Sequence, residues 1–301
     1  MAFSVFRARS TRPAADISVV IPVYYHERFV GDAIRSVLRQ TVSAREIICI
    51  DDGSTDGSPA VVEAFAREHP EIRFWSRPNR GAHNTLNEGI QAATGSVIAI
   101  LNSDDVFHDS RLSRCQAVLD ADPSISAVFT GLTSIDADGA PLKNPWYDGA
   151  LAFHRQVGDL GLSLVNGNFL VTTSNLVARR SLFAELGTFD NLRYAHDLDF
   201  FLRLVAAGKR VSILSQPLLS YRLHGSNTIL EAHQKVKLEW AVLTAFFAWR
   251  VAGRELGGQG GDYLNRLLAV LAKHGLTQAV TRTLLHLRGP GAGAQSPGAL
   301  L

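Results

Sequence analysis

EIICIDDGSTDGS (Glu46 to Ser58) joins a short apolar run to an abrupt acidic turn, and its reading decides the fold. Glu46 to Ile50 reads as a strand that stops at Asp51-Asp52-Gly53. Ser58 followed by Pro59 suits an N-cap and a first helical position, which predicts a helix to about Glu68. Upstream, ISVVIPVY (Ile17 to Tyr24) is a β-branched run of the kind buried in a parallel sheet, and Phe29, Ala33, Ile34, Val37 and Leu38 then recur at helical spacing. Downstream come a strand at Ile72 to Ser76, a helix at Ala82 to Ala93 closed by Gly95, and the apolar strand SVIAIL (Ser96 to Leu101). A helix from about Ser110 to Asp120 and a strand from Ile125 to Thr130 complete the series. This β-α order predicts an α/β fold, a mainly parallel sheet with helices on both faces. Ligands of such sheets bind beyond the carboxyl ends of the strands. Two polar clusters fall there, Asp51-Asp52-Gly53 and Asn102-Ser103-Asp104-Asp105, which bring four carboxylates to one rim.

Farther along, Thr133 to about Leu170 reads as an irregular stretch rich in Gly, Pro and polar residues. DLDFFLRLVAA (Asp197 to Ala207) is an amphipathic helix ending at Gly208, with Phe200, Phe201 and Leu204 on its core face. Val211 to Leu214 and Leu218 to Leu223 read as a final pair of strands, and helices are expected at Glu231 to Val251 and Asp262 to Leu287. The resulting division is a flexible tail over 1–16, a main α/β domain over 17–226, a helical appendage over 227–287 and a disordered Gly/Pro/Ala-rich tail over 288–301. The chain has 301 residues, with 30 Lys+Arg against 28 Asp+Glu, and a near-neutral balance of +2 argues against a dedicated nucleic-acid binder. Cys49 and Cys115, the only cysteines, sit in or beside apolar segments and read as buried thiols, with no disulfide framework. Arg7, Arg9 and Arg12 interrupt any signal-like apolar core, and the longest apolar candidate, Ala241 to Trp249, is far short of the roughly 20 residues that span a bilayer. The expected compartment is the cytoplasm. LEWAVLTAFFAW (Leu238 to Trp249) reads as packing against the main domain in preference to lying on a membrane surface. Trp146-Tyr147 reads as packing in preference to a sugar-stacking surface.

Adjacent carboxylates repel one another unless a cation or water lies between them. Asp104 and Asp105, with phosphate oxygens, would suit an octahedral Mg²⁺ or Mn²⁺. The plain alternative is a solvated turn, and the second acidic cluster on the same rim tips the balance. Asp51 to Gly57 is either a tight turn or a place where a carboxylate accepts hydrogen bonds from a base or ribose. A dinucleotide-binding dehydrogenase is disfavoured, because the first strand ends in PVYYHE (Pro22 to Glu27) with no glycine-rich turn.

The order of these segments resembles a family-2 glycosyltransferase, an inverting enzyme of the GT-A fold. The resemblance runs through VVIPVYYHERFV (Val19 to Val30), SVLRQT (Ser36 to Thr41), EIICIDDGSTDGS, NRGAHNTLNEGI (Asn79 to Ile90), ATGSVIAILNSDD (Ala93 to Asp105), GTFD (Gly187 to Asp190) and AHDLDFFLRL (Ala195 to Leu204). It implies a Rossmann-like sheet and transfer of a sugar from a nucleotide-sugar donor, a UDP-sugar favoured, to a glycan or lipid-linked acceptor. It further implies that Pro22, Val23, Tyr24 and Glu27 line the nucleotide pocket and that Asp52, with Asp51, contacts the base or ribose. Asp104 matches the metal-binding aspartate of the DxD motif and Asp105 the carboxylate after it. Asp197 matches the catalytic base, opening a helix whose dipole favours the ionised form. His224, in YRLHGSN, matches a histidine that reaches the metal or diphosphate.

Four positions depart from the pattern. Asn102 stands where the first DxD carboxylate is usual, Tyr25 replaces an Asn, His196 replaces the Glu before the base, and Thr188 replaces a Gly. The neutral Asn102 implies weaker metal affinity and keeps open a second reading, a catalytically silent sugar-nucleotide-binding or scaffold protein; intact Asp104 and Asp197 favour the enzyme. A nucleotidyltransferase would call for a glycine-rich, basic signature after the first strand, which is missing.

Overall fold

A computed structural model describes residues 13–225, 227, 233–252, 260–287 and 297. In chain order the first half contains β1 (Ile17–Val23), α1 (Val30–Leu38), β2 (Glu46–Asp51), α2 (Ser58–Glu68), β3 (Ile72–Ser76), α3 (Ala82–Ala92), β4 (Val97–Ile100), β5 (Val106–Phe107), α4 (Arg111–Ala121) and β6 (Ile125–Ile135). The second half contains α5 (Pro145–Val157), α6 (Leu160–Asn166), β7 (Val177–Arg179), α7 (Arg180–Leu186), α8 (His196–Ala206), β8 (Arg210–Arg222), α9 (His233–Ala252), α10 (Gly260–Lys273) and α11 (Thr277–Leu287). One eight-stranded sheet has the order β3-β2-β1-β4-β7-β6-β8-β5. β3, β2, β1 and β4 are mutually parallel, β7 runs against both β4 and β6, and β5 runs against β8. The sheet is therefore mixed but mostly parallel, as the β-α order requires.

Strand alternation splits the core in two. Ile17, Val19, Ile21 and Val23 of β1 face α1, α2 and α4 together with Ile47 and Cys49 of β2. Val20, Ile48, Ile50, Ile98 and Ile100 face the opposite way, onto α3, α6, α8 and the C-terminal helices. Gly89 lets α3 seat directly on β1, since a Cβ there would meet the Val20 side chain at 2.3 Å. Both cysteines are buried and unpaired, and burial pushes the Cys49 thiol up to about 12.

Several expectations give way to the structure. The stretch read as irregular, Thr133 to Leu170, holds the end of β6 and two helices. Asn144 caps α5 by accepting from the Tyr147 N–H, Pro145 follows it, and Gly158 ends the helix at φ +67. Asp159 then caps α6. Local caps overrode the weak periodicity. The expected final pair of strands is one bent strand, β8, whose register against β6 shifts around Gly131 and so accommodates Pro217. Asp262 to Leu287 is two helices broken at Gly275, φ +67. The short β5, β7 and α7 were not anticipated.

At the N-terminus, Ala14 bridges Ser43, and the Asp16 carboxylate accepts from Arg45 and from the Ser96 N–H, so 13–16 are held at the amino ends of β2 and β4. The rest of the expected tail, 1–12, and that of 288–301 apart from 297 lie outside the described residues. The apolar side chains of Ala241 to Ala248 are buried against the main domain, the packing expected of that segment. Among the described residues no helix is long and apolar enough to cross a membrane.

Candidate active site

β1 and β4 are neighbours at the point where the crossover direction reverses, and their carboxyl ends open the crevice. β1 delivers Tyr24 and Tyr25, both about half exposed, into this opening. Pro22 is half-buried, while the Val23 side chain lies in the core and its carbonyl accepts from the Asp52 N–H. Only the backbone of Val23 reaches the rim. Glu27 is exposed and accepts from the Gly57 N–H, tying the end of β1 to the turn after β2.

That turn engages its own carboxylates. Asp51 is fully buried and accepts from Ser76 Oγ and the N–H groups of Gly53 and Ser54, with Gly53 at φ +82. In this structure it shapes the turn. Asp52 accepts from the Arg77 guanidinium and from the N–H groups of Arg80 and Gly81. Arg77 also holds Glu88, and through these bonds the acidic turn is fastened to α3.

After β4, the four residues 102–105 divide their work. The Asn102 side chain donates to Thr172 Oγ1 at 2.9 Å and accepts from Thr173 Oγ1 at 2.9 Å. A carboxylate there would lose the donated bond and add a further acidic group beside Asp104 and Asp105. Asp105 is buried and accepts from Ser174 Oγ and the Arg222 N–H, and burial together with the Asp104 charge pushes its carboxyl well up. It fastens β8 and the 172–174 loop beneath the site. Asp104 behaves differently. Its burial is opposed and outweighed by the hydrogen bond from His224 and by the two nearby histidines, which hold its carboxyl below the ordinary value. His224 Nε2 lies 3.0 Å from Asp104 Oδ2, and Asn227 approaches the same oxygen at 3.5 Å. His26, three residues beyond β1 and absent from the expected site, brings Nε2 to 4.0 Å from Asp104 Oδ2. Among the described residues His26, Asp104 and His224 form a possible metal-binding group, with one ligand atom of each inside 4.8 Å of the others. Burial pushes the His26 imidazole below its ordinary value, against the pull of Asp104.

Asp197 lies in the first turn of α8, with Oδ1 accepting from the Leu198 N–H at 2.7 Å and Oδ2 from Asn168 Nδ2 at 3.0 Å. Those bonds favour the charged form, but burial outweighs them and the Glu239 charge adds to it, so the carboxyl rises to about 7. The helix dipole expected to favour the ionised form is opposed here by desolvation, which is the larger effect. His196, beside it, is buried with Nδ1 unpartnered, and burial lowers its imidazole to about 4.

Two connections link Asp197 to the surroundings of Asp104, and a third contact orients the start of its helix. The loop that carries Asn168 continues into Thr172, Thr173 and Ser174, which bind Asn102 and Asp105. The Tyr221 hydroxyl, pushed up by burial, also feels the charges of Asp105, Asp104 and Asp197 together. Glu239, on α9, accepts from the N–H groups of Arg193, Tyr194 and Ala195, which fixes the approach to α8. Asp52 stands farther along the rim, where its charge reaches His83. Tyr147 packs as expected, but Trp146 is 54% exposed beside Gly167, which overturns packing for that indole.

His26, Asn168 and Glu239 escaped the sequence reading. Glu239 had a usable signal: a lone acid inside LEWAVLTAFFAW needs a buried partner. Asn168 lay in the stretch read as irregular, and His26 was passed over within the quoted motif.

Comparison with known proteins agrees with the fold. The sequence model described as Glycosyl transferase family 2 matches residues 18–187, over half of the chain. An uncharacterized glycosyltransferase of Nostoc sp. is 30% identical over 72% of this chain and 67% of its own length. Chondroitin synthase of Escherichia coli is 26% identical over 71% of this chain, which spans only 30% of that larger protein. The crystal structure of S. aureus TarS 1-349 in complex with UDP superposes with a TM-score of 0.62 at 17% identity, covering 86% of this chain and 71% of that one, a likeness of fold. On the family match, the Nostoc relative and the shared architecture, this chain belongs to glycosyltransferase family 2.

Proposed function

We propose that the protein transfers a sugar from a nucleoside-diphosphate sugar, a UDP-sugar favoured, to a hydroxyl of a glycan or lipid-linked acceptor, with inversion at the anomeric carbon. The observation that carries the reading is Asp197, a carboxyl brought to about 7 by burial and held by Asn168, on the loop whose Thr172, Thr173 and Ser174 bind Asn102 and Asp105. A general base is most effective when its pKa lies near the working pH. Asp197 accepts the proton of the acceptor hydroxyl as that oxygen attacks the anomeric carbon. Attack from the face opposite the departing diphosphate inverts the centre. Tyr24, Tyr25, Glu27 and Asp52 line the donor side of the crevice.

Asp104 and His224 are the groups to hold a Mg²⁺ or Mn²⁺. The donor set fits, since a carboxylate oxygen and an imidazole nitrogen 3.0 Å apart have the separation of adjacent ligands around one ion. When bound, the cation supplies positive charge against the charge that develops on the diphosphate. The reading keeps the protein in the cytoplasm, at the inner face of the membrane where a lipid-linked acceptor would be met. The silent-scaffold alternative drew its support from Asn102. That amide is bonded on both sides to Thr172 and Thr173 and leaves Asp104 and Asp197 intact, so the enzymatic reading is preferred.

The test is Asp197→Asn assayed against a panel of nucleotide sugars, with UDP binding followed by calorimetry. Transfer should fall by about 10²–10⁴-fold while UDP affinity stays at the parent level. A variant that turns over like the parent removes Asp197 as the base.

A further inference from the structure

We propose that His26 is a third protein ligand of the cation, completing a two-histidine, one-carboxylate set with Asp104 and His224 that compensates for the neutral Asn102 and favours Mn²⁺ over Mg²⁺. The inference rests on the metal reading of Asp104 and His224 given above.

Four observations carry it. First, the imidazole is aimed. His26 Nδ1 is hydrogen-bonded to Ser103 Oγ at 2.8 Å, which leaves Nε2 directed at Asp104. A ligating histidine ordinarily has its other ring nitrogen fixed in this way by a neighbouring polar group. Second, the spacing suits a cation and not a direct contact. At 4.0 Å, His26 Nε2 and Asp104 Oδ2 are too far apart for a hydrogen bond. Two ligands each about 2.1 Å from one ion stand roughly 3.0 Å apart when adjacent and roughly 4.2 Å apart when opposite. The 3.0 Å and 4.0 Å separations from Asp104 Oδ2 lie in that range.

Third, the position is built into the backbone. Tyr25, immediately before His26, adopts φ +52, a left-handed conformation that a tyrosine rarely takes. Ser54 Oγ accepts its N–H, its hydroxyl is bonded to Thr55 Oγ1, and Ser58 Oγ accepts the N–H of His26. Strain retained by this many contacts is characteristic of a functional position. The ring of Phe29 packs against both imidazoles, with centroids at 5.9 Å from His26 and 4.8 Å from His224. Fourth, the chemistry matches the departure at Asn102. With that side chain bonded to Thr172 and Thr173, an amide stands where the pattern has a carboxylate. Imidazole supplies a neutral replacement; nitrogen ligands favour transition ions over Mg²⁺, and Mn²⁺ is the one that also suits the carboxylate and phosphate oxygens of the rest of the site.

The experiment titrates Mn²⁺ into the full chain in the presence of UDP, following free Mn²⁺ by electron paramagnetic resonance. Pulsed resonance then reads the ¹⁴N modulation of imidazole bound to Mn²⁺. The parent should bind Mn²⁺ with nitrogen modulation from two imidazoles and should prefer it over Mg²⁺ in competition. His26→Ala should weaken Mn²⁺ by more than the roughly 10–100-fold that loss of an outer-shell partner costs, drop the modulation to one imidazole and erase the preference over Mg²⁺. Ser103→Ala keeps the imidazole but frees its ring, so it should weaken Mn²⁺ by a smaller factor with both nitrogens still seen. Asp104→Ala, the control for the underlying reading, should abolish binding. If His26→Ala keeps the parental affinity and modulation while Asp104→Ala loses both, His26 is not a ligand and only this inference falls. If His26→Ala weakens UDP but leaves Mn²⁺ unchanged, the imidazole serves the diphosphate and the inference is equally overturned. A parent that binds no Mn²⁺ defeats the metal reading as a whole.

Discussion

Asp104 and Asp197 are each 8% exposed, yet one is held below the ordinary carboxyl value and the other rises to about 7. Burial acts in the same direction on both. The difference lies in their partners: His224 and His26 face Asp104, whereas Asp197 has the neutral Asn168 amide, one backbone N–H and the like charge of Glu239. Under the proposed function, one end of the site holds a cation and the other accepts a proton, which calls for two carboxylates in different states. Here the neighbours of each carboxylate, and not its exposure, create that difference.

The largest expected effect that would break this contrast concerns stability. A carboxyl that titrates near 7 in the folded protein, against 3.8 ordinarily, binds its proton more tightly folded than unfolded. Its favourable contribution is complete below the unfolded value and is lost as pH rises through the folded one. Asp197→Asn, which cannot ionise, should therefore be more stable than the parent at pH 8, by on the order of 2–4 kcal/mol, and nearly equal to it at acidic pH. Thermal melts at the two pH values measure this, and an equal gap at both would contradict the raised value. The parent's activity should correspondingly rise with pH through about 7 as Asp197 ionises.

Glu239→Gln tests the same end of the crevice from a distance. The substitution removes one of two acceptor oxygens serving the N–H groups of Arg193, Tyr194 and Ala195, and should lower stability by about 1–3 kcal/mol. It also removes a negative charge that raises Asp197, so the acidic limb of the rate profile should move to lower pH. A profile that stays in place while stability falls would make Glu239 a structural cap only.

The smallest change expected is at the metal end. Asn102→Asp loses the bond donated to Thr172 and places a further charge beside Asp104 and Asp105, lowering stability by about 1 kcal/mol. The same charge should tighten Mn²⁺ binding, which titration would detect. If the variant binds Mn²⁺ no better than the parent, the rim does not lack a carboxylate.

The two ends also differ in how far they could be read from the chain. The metal end follows strand ends, and Asp104 could be located because SVIAIL stops at Asn102. His224, expected from the resemblance, lies 3.0 Å from Asp104 although 120 residues separate the two. The other end could be read only as a residue. Asp197 was picked out by motif order, but its protonation was not legible, because burial opposes the helix dipole and depends on parts of the chain distant in sequence. Trp146 and helices α5 and α6 were misread for a related reason, since caps such as Asn144 and Asp159 interrupt the periodic signal.

What the amino-acid order determined unaided is the alternation of short apolar runs with amphipathic helices, and hence a mostly parallel sheet with carboxylates at its rim. The periodicity that marks strands and helices belongs to side chains near in sequence, so a linear reading reaches it. Only the tertiary structure decided which carboxylates stay at work in the crevice and which, like Asp51 and Asp105, serve as internal fasteners. It also decided that His26 meets Asp104 and that Glu239 steadies the approach to Asp197. Those outcomes depend on local desolvation and on partners brought together from distant parts of the chain, quantities that exist only once the chain has folded.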